Sequence, residues 1–154
     1  MNLQNLLKML DEIKENIDKK QFKKLKLSIT ERIIKRLYSF SNECEECESY
    51  LNSFGKLIEE MIKKDVFIVE KELKLLIKSV TTHLQKKHKL VTDNYYTNTY
   101  MSYGIALGLP FGVVFSQLLK QPAFIGIGLP IGMSIGVAIG TELDKKAKEE
   151  GLLI

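Results

Sequence analysis

The sequence predicts an all-α protein with a helical bundle or coiled coil in its N-terminal part and a two-helix transmembrane hairpin in its C-terminal part. Residues 1–99 hold 19 Lys and Arg, 15 Asp and Glu, one glycine and no proline. Residues 100–154 hold nine of the ten glycines and all three prolines, and Lys120 is the only charged residue between Asp93 and Glu142. This division predicts one part that folds in water and another that folds in lipid.

Apolar residues recur at helical spacing throughout residues 1–90. We expect helix breaks near residues 20 and 41, the second with Asn42 and Glu45 as a capping box. The apolar pattern slips near Asp65, which leaves open whether residues 42–64 and 66–90 form one helix or two. The core positions expected of the two last segments are Cys44, Cys47, Leu51, Phe54, Ile58 and Met61, and then Val66, Val69, Leu73, Leu76, Val80 and Leu84.

Two uncharged runs follow, at residues 100–119 and 123–141, on either side of Lys120 and Pro122. A helix of about 20 residues is about 30 Å long, which matches the hydrocarbon thickness of a bilayer. A buried soluble hairpin is the alternative, but the N-terminal part is too small to cover two helices that are apolar on all sides. We therefore expect both runs to span a membrane.

Small residues recur every fourth position in both spans, so each set lies on one helix face where another backbone can approach closely. The motif LGLPFG at 107–112 is repeated as IGLPIG at 127–132. We expect these glycine zippers to pack helices and to drive homo-oligomer formation, and we expect a kink at Pro110 and at Pro130. The zipper positions are Gly104, Gly108, Gly112 and Ser116 in the first span, and Gly128, Gly132, Gly136 and Gly140 in the second.

The residues that flank the spans predict their orientation. Tyr95, Tyr96, Tyr100 and Tyr103 precede or open the first span, where tyrosines form an aromatic belt at the headgroups. Six lysines flank the outer ends of the hairpin (Lys86, Lys87, Lys89, Lys145, Lys146 and Lys148), against one in its turn. The positive-inside rule then places both termini in the cytoplasm and the protein in the inner membrane as a multi-pass protein.

The chain offers little that could support catalysis. Cys44 and Cys47 form a C-x-x-C pair, but zinc needs two further ligands, and His83 and His88 are five residues apart, which predicts different helix faces. The glutamates at 43–48 disfavour a reactive thiolate. We expect core cysteines, no metal, no cofactor, no catalytic residue and no enzyme. The dispersed positive charge also predicts no nucleic-acid partner.

The segment GLPIGMSIGVAIGTELDKKAKEEG, residues 128–151, resembles the tails of small bacterial glycine-zipper membrane proteins. The combination of a helical module with two spans resembles the two-transmembrane effectors of bacterial defence systems. These resemblances imply a membrane effector that oligomerises and perturbs or forms a pore in the inner membrane. The alternative is a membrane-anchored binding or immunity protein. Either would have a cytosolic domain at 1–95, which senses a protein or small-molecule signal, a hairpin at 96–143 in contact with lipid, and a tail at 144–154.

Overall fold

The computed structural model describes residues 2–63 and 66–154, without the side chains of residues 66–68. Seven helices occupy these residues, together with one isolated β-bridge between Val91 and Leu153. The all-α prediction is confirmed. The helices are α1 (Leu3–Asn16), α2 (Lys19–Lys24), α3 (Leu27–Phe40), α4 (Glu45–Lys63), α5 (Val66–His88), α6 (Tyr95–Leu119) and α7 (Ala123–Glu149).

The chain divides into two compact units, one formed by residues 1–90 with Ile154 and the other by Val91–Leu153. The first, called here the helical unit, contains α1 to α5. The second, called here the hairpin unit, contains α6 and α7. Residues 144–149 are therefore part of α7, and residues 150–153 form the segment that follows it in the same unit.

The core of the helical unit is built from one apolar face of each long helix. In α4 the predicted positions Cys47, Leu51, Phe54, Ile58 and Met61 are all buried. In α5 the buried positions include Val69, Leu73, Ile77, Val80 and Leu84. Ile77 thus takes the core position expected of Leu76, which is only partly buried. Spacing alone does not separate the two residues, since both three- and four-residue steps lead from Leu73 to Val80 on one helix face.

The helix boundaries differ from the expected breaks in two places. Lys26 adopts a left-handed conformation with φ of 53° and separates α2 from α3, so the segment from Phe22 to Phe40 is not one helix. Asn42 lies in the turn before α4, which begins at Glu45, so the predicted cap at Asn42 is wrong. The sequence leaves open whether residues 42–64 and 66–90 form one helix or two. The point at issue falls at Lys64 and Asp65, which lie outside the described residues.

Glu31 of α3 forms ion pairs with two lysines, one on α1 and one on α3. Lys14 Nζ lies 2.7 Å from Glu31 Oε2, and Lys35 Nζ lies 2.6 Å from Glu31 Oε1. The hydrogen bonds from Lys14 and Lys35 lower the pKa of Glu31 from 4.5 to about 2. The lowered pKa means that the ionised carboxylate stabilises the folded state above pH 4.5 and that this contribution is lost as the pH falls towards 2.

We therefore expect Glu31→Gln to lower the stability of the helical unit at neutral pH by about 1 kcal/mol, a value reduced for solvent screening of a partly exposed pair. The variant should also lose less stability than the wild type between pH 4.5 and 2. Both effects are measured by denaturant titration of the full chain in detergent, with circular dichroism as the readout of unfolding. Glu15→Gln is the control, since Glu15 is exposed on α1. Equal acid sensitivity of wild type and Glu31→Gln would contradict the assignment.

Candidate functional site

The two hairpin helices meet along their glycines. A Cβ atom added at Gly132 would overlap the carbonyl oxygen of Gly104 and lie 2.9 Å from Gly108 Cα, and one added at Gly128 would lie 2.7 Å from Gly112 Cα. Added methyl groups therefore have no room, and the backbones approach as closely as only glycine permits. We call this line of contacts the glycine seam; it consists of Gly104, Gly108, Gly112, Gly128, Gly132, Gly136 and Gly140.

The register of the seam follows from the internal repeat. Gly108 packs against Gly128, which is its own counterpart in the duplicated motif, and Gly104 packs against Gly132. Beyond them, Gly136 meets the backbone of Tyr100, and Gly140 meets that of Thr97. The two copies of the motif thus lie antiparallel and overlap at Gly108 and Gly128, and all seven glycines contact the opposite helix of the same chain.

Three other predicted positions lie outside the seam. Ser116 is near the turn end of α6, where its carbonyl accepts the N–H of Gln121 at 3.1 Å. Helices α6 and α7 continue through Pro110 and Pro130. The Ser134 hydroxyl donates to the carbonyl of Pro130 at 2.7 Å. The expected kinks at the two prolines stay predictions.

Asp144 links α7 to the first turn of α6, at the end of the hairpin opposite its turn. Its carboxylate accepts the backbone N–H groups of Tyr96 at 3.0 Å and Thr97 at 2.9 Å, and the Thr97 hydroxyl at 2.6 Å. These N–H groups belong to the first turn of α6 and have no partner within their own helix. This clamp explains why α6 begins at Tyr95, although the polar segment 91–99 is a poor helix former by composition.

The outer surface of the hairpin unit is apolar. Within the most apolar 18-residue windows of α6 and α7, only 17% and 11% of the residues are buried. The tyrosines of the predicted belt lie in the first turns of α6, at the Asp144 end, where Tyr103 is 60% exposed and contacts Tyr100 edge to face. One face also carries an apolar groove of about 600 Å³, whose lining includes five glycines of the seam (Gly104, Gly108, Gly112, Gly128 and Gly132). Its walls include Leu107, Phe111, Phe115, Phe124, Ile131 and Ile135.

A second constellation lies in the helical unit, where the start of α4 meets the end of α5. Cys44, Cys47, His83 and His88 place one ligand atom each within 4.8 Å of all the others. His83 Nε2 lies 3.5 Å from Cys44 Sγ and 3.4 Å from Cys47 Sγ, and His88 Nε2 lies 3.4 Å from Cys47 Sγ. The expectation that the two histidines face apart is therefore wrong.

Neighbouring groups fix the rings and set the charge of this cluster. Glu46 Oε2 lies 2.6 Å from His83 Nδ1, and the ring of Phe40 stacks on His88 with centroids 4.0 Å apart. Burial, reinforced by Cys44 and Glu46, raises the pKa of Cys47 to about 12. Burial and the nearby His83 and Lys87 lower the pKa of His88. Without a cation, Cys47 is therefore a protonated thiol and His88 a neutral imidazole at neutral pH.

The sequence contains a signal for this cluster. A C-x-x-C pair and two histidines separated by four residues are both spacings that zinc sites use. Helical periodicity argues against the histidine pair only in the middle of a straight helix. His88 is the last residue of α5, and Lys89 after it turns left-handed with φ of 56°. The cysteine pair and the histidine pair are also separated by the 35 residues between Cys47 and His83. Only the packing of α4 on α5 brings the two pairs together, so their proximity cannot be recognised in the sequence.

No protein-family model, curated protein or solved structure matches this chain. Its function is therefore argued from the glycine seam, the apolar surface around it and the thiol–imidazole cluster.

The seam predicts opposite effects for two glycine substitutions in the same helix. Gly132→Ala should destabilise the hairpin by about 1–3 kcal/mol, the usual cost of overpacking, because its methyl group meets the backbone of α6. Gly126→Ala should be neutral or stabilising by up to about 1 kcal/mol, since a Cβ there meets nothing within 4 Å and alanine favours helix. Unfolding of the full chain in mixed micelles measures both. Equal effects of the two substitutions would contradict the seam.

Proposed function

We propose that this chain is an integral membrane protein whose hairpin unit crosses the bilayer. The supporting observation is the exposure of large apolar side chains around both hairpin helices, including Leu107, Phe115, Leu118, Ile131 and Ile135. A core helix of a soluble protein would bury these side chains. In a bilayer these apolar side chains face apolar lipid tails, and the backbone N–H and C=O groups pair within each helix.

In the proposed orientation both termini are cytoplasmic and Lys120 to Pro122 lie on the outer side of the inner membrane. The support is the six lysines that flank the hairpin in the sequence, against Lys120 in its turn. The belt tyrosines fit the same arrangement, because they lie near the Asp144 clamp, at the end of the hairpin from which the charged segments emerge.

The hairpin acts, in this proposal, as a membrane anchor for a helical binding module. The observation that carries this role is the glycine seam itself, since each of its glycines packs against the other helix of the same chain. The small faces that could join one copy to another are thereby used within the hairpin. The helical unit then meets its partner, a protein or a small-molecule signal, at the cytoplasmic surface, and the protein works without catalysis.

A second candidate function is a defence effector that oligomerises and breaches the membrane. The observation that favours it is the apolar groove. The groove is lined by side chains such as Phe111 and Phe115, and a helix of another copy could lie between them. Association would then use the outer face of the seam and not the zipper contacts themselves. The resemblance of the C-terminal segment to glycine-zipper proteins is compatible with both functions.

Induced expression in a bacterial host separates the two functions. For an anchor we expect the chain in the membrane fraction, unchanged growth and no entry of a potential-sensitive dye, because a closed hairpin offers ions no polar path. Growth arrest with dye entry would contradict the anchor. In that case Phe115→Ala in the groove should relieve the arrest, whereas Leu118→Ala, which is 71% exposed and outside the groove, should not.

A further inference from the structure

We propose that Cys44, Cys47, His83 and His88 bind one zinc ion in a closed Cys2His2 site. This site lies in the helical unit and is independent of what the hairpin does. Each of the four residues places one ligand atom within 4.8 Å of all the others, and both histidines approach the sulfurs through Nε2.

The distances between the ligand atoms fit a tetrahedral ion. With Zn–S near 2.3 Å and Zn–N near 2.0–2.1 Å, tetrahedral geometry requires a sulfur-to-nitrogen distance of about 3.6 Å. Three of the four such distances, from His83 to both sulfurs and from His88 to Cys47, are 3.5, 3.4 and 3.4 Å, and the remaining pairs of ligand atoms lie within 4.8 Å. Zinc therefore needs a movement of only a few tenths of an ångström in those three pairs.

Glu46 supplies the outer contact that a zinc-bound histidine needs. Its carboxylate accepts the Nδ1–H of His83 at 2.6 Å, which leaves the Nε2 lone pair directed at the two sulfurs. A histidine that binds a metal commonly donates its other N–H to a carboxylate, which orients the ring and increases its basicity. On His88, the stacked ring of Phe40 holds the imidazole in place.

The chemistry of the ligands favours zinc and a structural role. Two sulfurs and two imidazole nitrogens in a tetrahedron are typical of zinc, and four protein ligands leave no position for a substrate. On binding, each thiol releases its proton to solvent, and two thiolates then neutralise one Zn²⁺, so the partly buried site carries no net charge. The ion would tie the start of α4 to the end of α5.

A redox C-x-x-C pair is the competing explanation for the two cysteines. Such a pair needs a thiolate held by positive charge or by a helix N-terminus. Here burial and the carboxylate of Glu46 raise the pKa of Cys47, which disfavours a free thiolate. A cation at the centre of the cluster reverses this situation, because it stabilises the thiolate directly.

The test uses the full chain purified in detergent under reducing conditions. We expect elemental analysis to find one zinc per chain, and a chelator to lower the thermal unfolding midpoint of the helical unit. Addition of Co²⁺ to the metal-free protein should produce the strong visible bands of a tetrahedral, thiolate-bound cobalt ion, which excess Zn²⁺ then removes.

Variants distinguish a site from loose metal binding. Cys47→Ser and His88→Asn should abolish the tetrahedral cobalt spectrum. Glu46→Gln should keep the spectrum but weaken zinc binding about 10–100-fold, as loss of a carboxylate behind a ligating histidine does. Glu48→Gln is the matched control, because Glu48 lies exposed on the same turn of α4, and it should bind zinc as the wild type does.

The cobalt titration of the wild-type chain keeps the proposal falsifiable even if a variant fails to fold. A folded, reduced wild-type chain that holds no zinc and gives no tetrahedral cobalt spectrum overturns the site. Stoichiometric iron or copper in place of zinc overturns the choice of metal. A parallel purification without reductant that yields the chain with a Cys44–Cys47 disulfide and no metal overturns the zinc site in favour of the redox alternative.

Discussion

The absence of charge over almost fifty residues is the constraint on which the hairpin unit depends. Between Asp93 and Glu142 only Lys120 is charged, so the large apolar side chains of residues 100–141 gain nothing from facing water. Their backbone groups must be paired wherever water is excluded, and helices achieve this within one segment. A turn at Lys120 then returns the chain to its starting side. A two-helix hairpin is thus the fold expected of this half if lipid surrounds it, as we propose.

The glycine seam joins the two helices through close backbone contacts, which matters most in the proposed lipid setting, where no hydrophobic force acts between helices. In lipid, packing and short polar contacts must supply the association. The seam provides the packing through backbone contacts between the two copies of one motif. Asp144 provides the polar contact at the end where α6 begins. A pore-forming association would have to use the remaining outer surface, which is lined by large apolar side chains.

The fold could be predicted from the sequence much further than the sites could. Periodicity located the buried faces of α4 and α5, since most of their core positions follow one helical stripe. The break at Lys26 was missed because no glycine or proline marks it. The pairing of Gly108 with Gly128, and the meeting of Cys47 with His83, depend on which helices pack together. Spacing along one helix carries no information about such contacts.

Cysteine labelling in intact spheroplasts tests the central claim, that the hairpin crosses the membrane with both ends inside. An impermeant thiol reagent should label Gln121→Cys in intact spheroplasts but leave the wild-type chain unlabelled, because the proposed orientation places Cys44 and Cys47 on the cytoplasmic side. Lys148→Cys should react only after lysis. Labelling of Lys148→Cys in intact spheroplasts, or of Gln121→Cys only after lysis, would contradict the account.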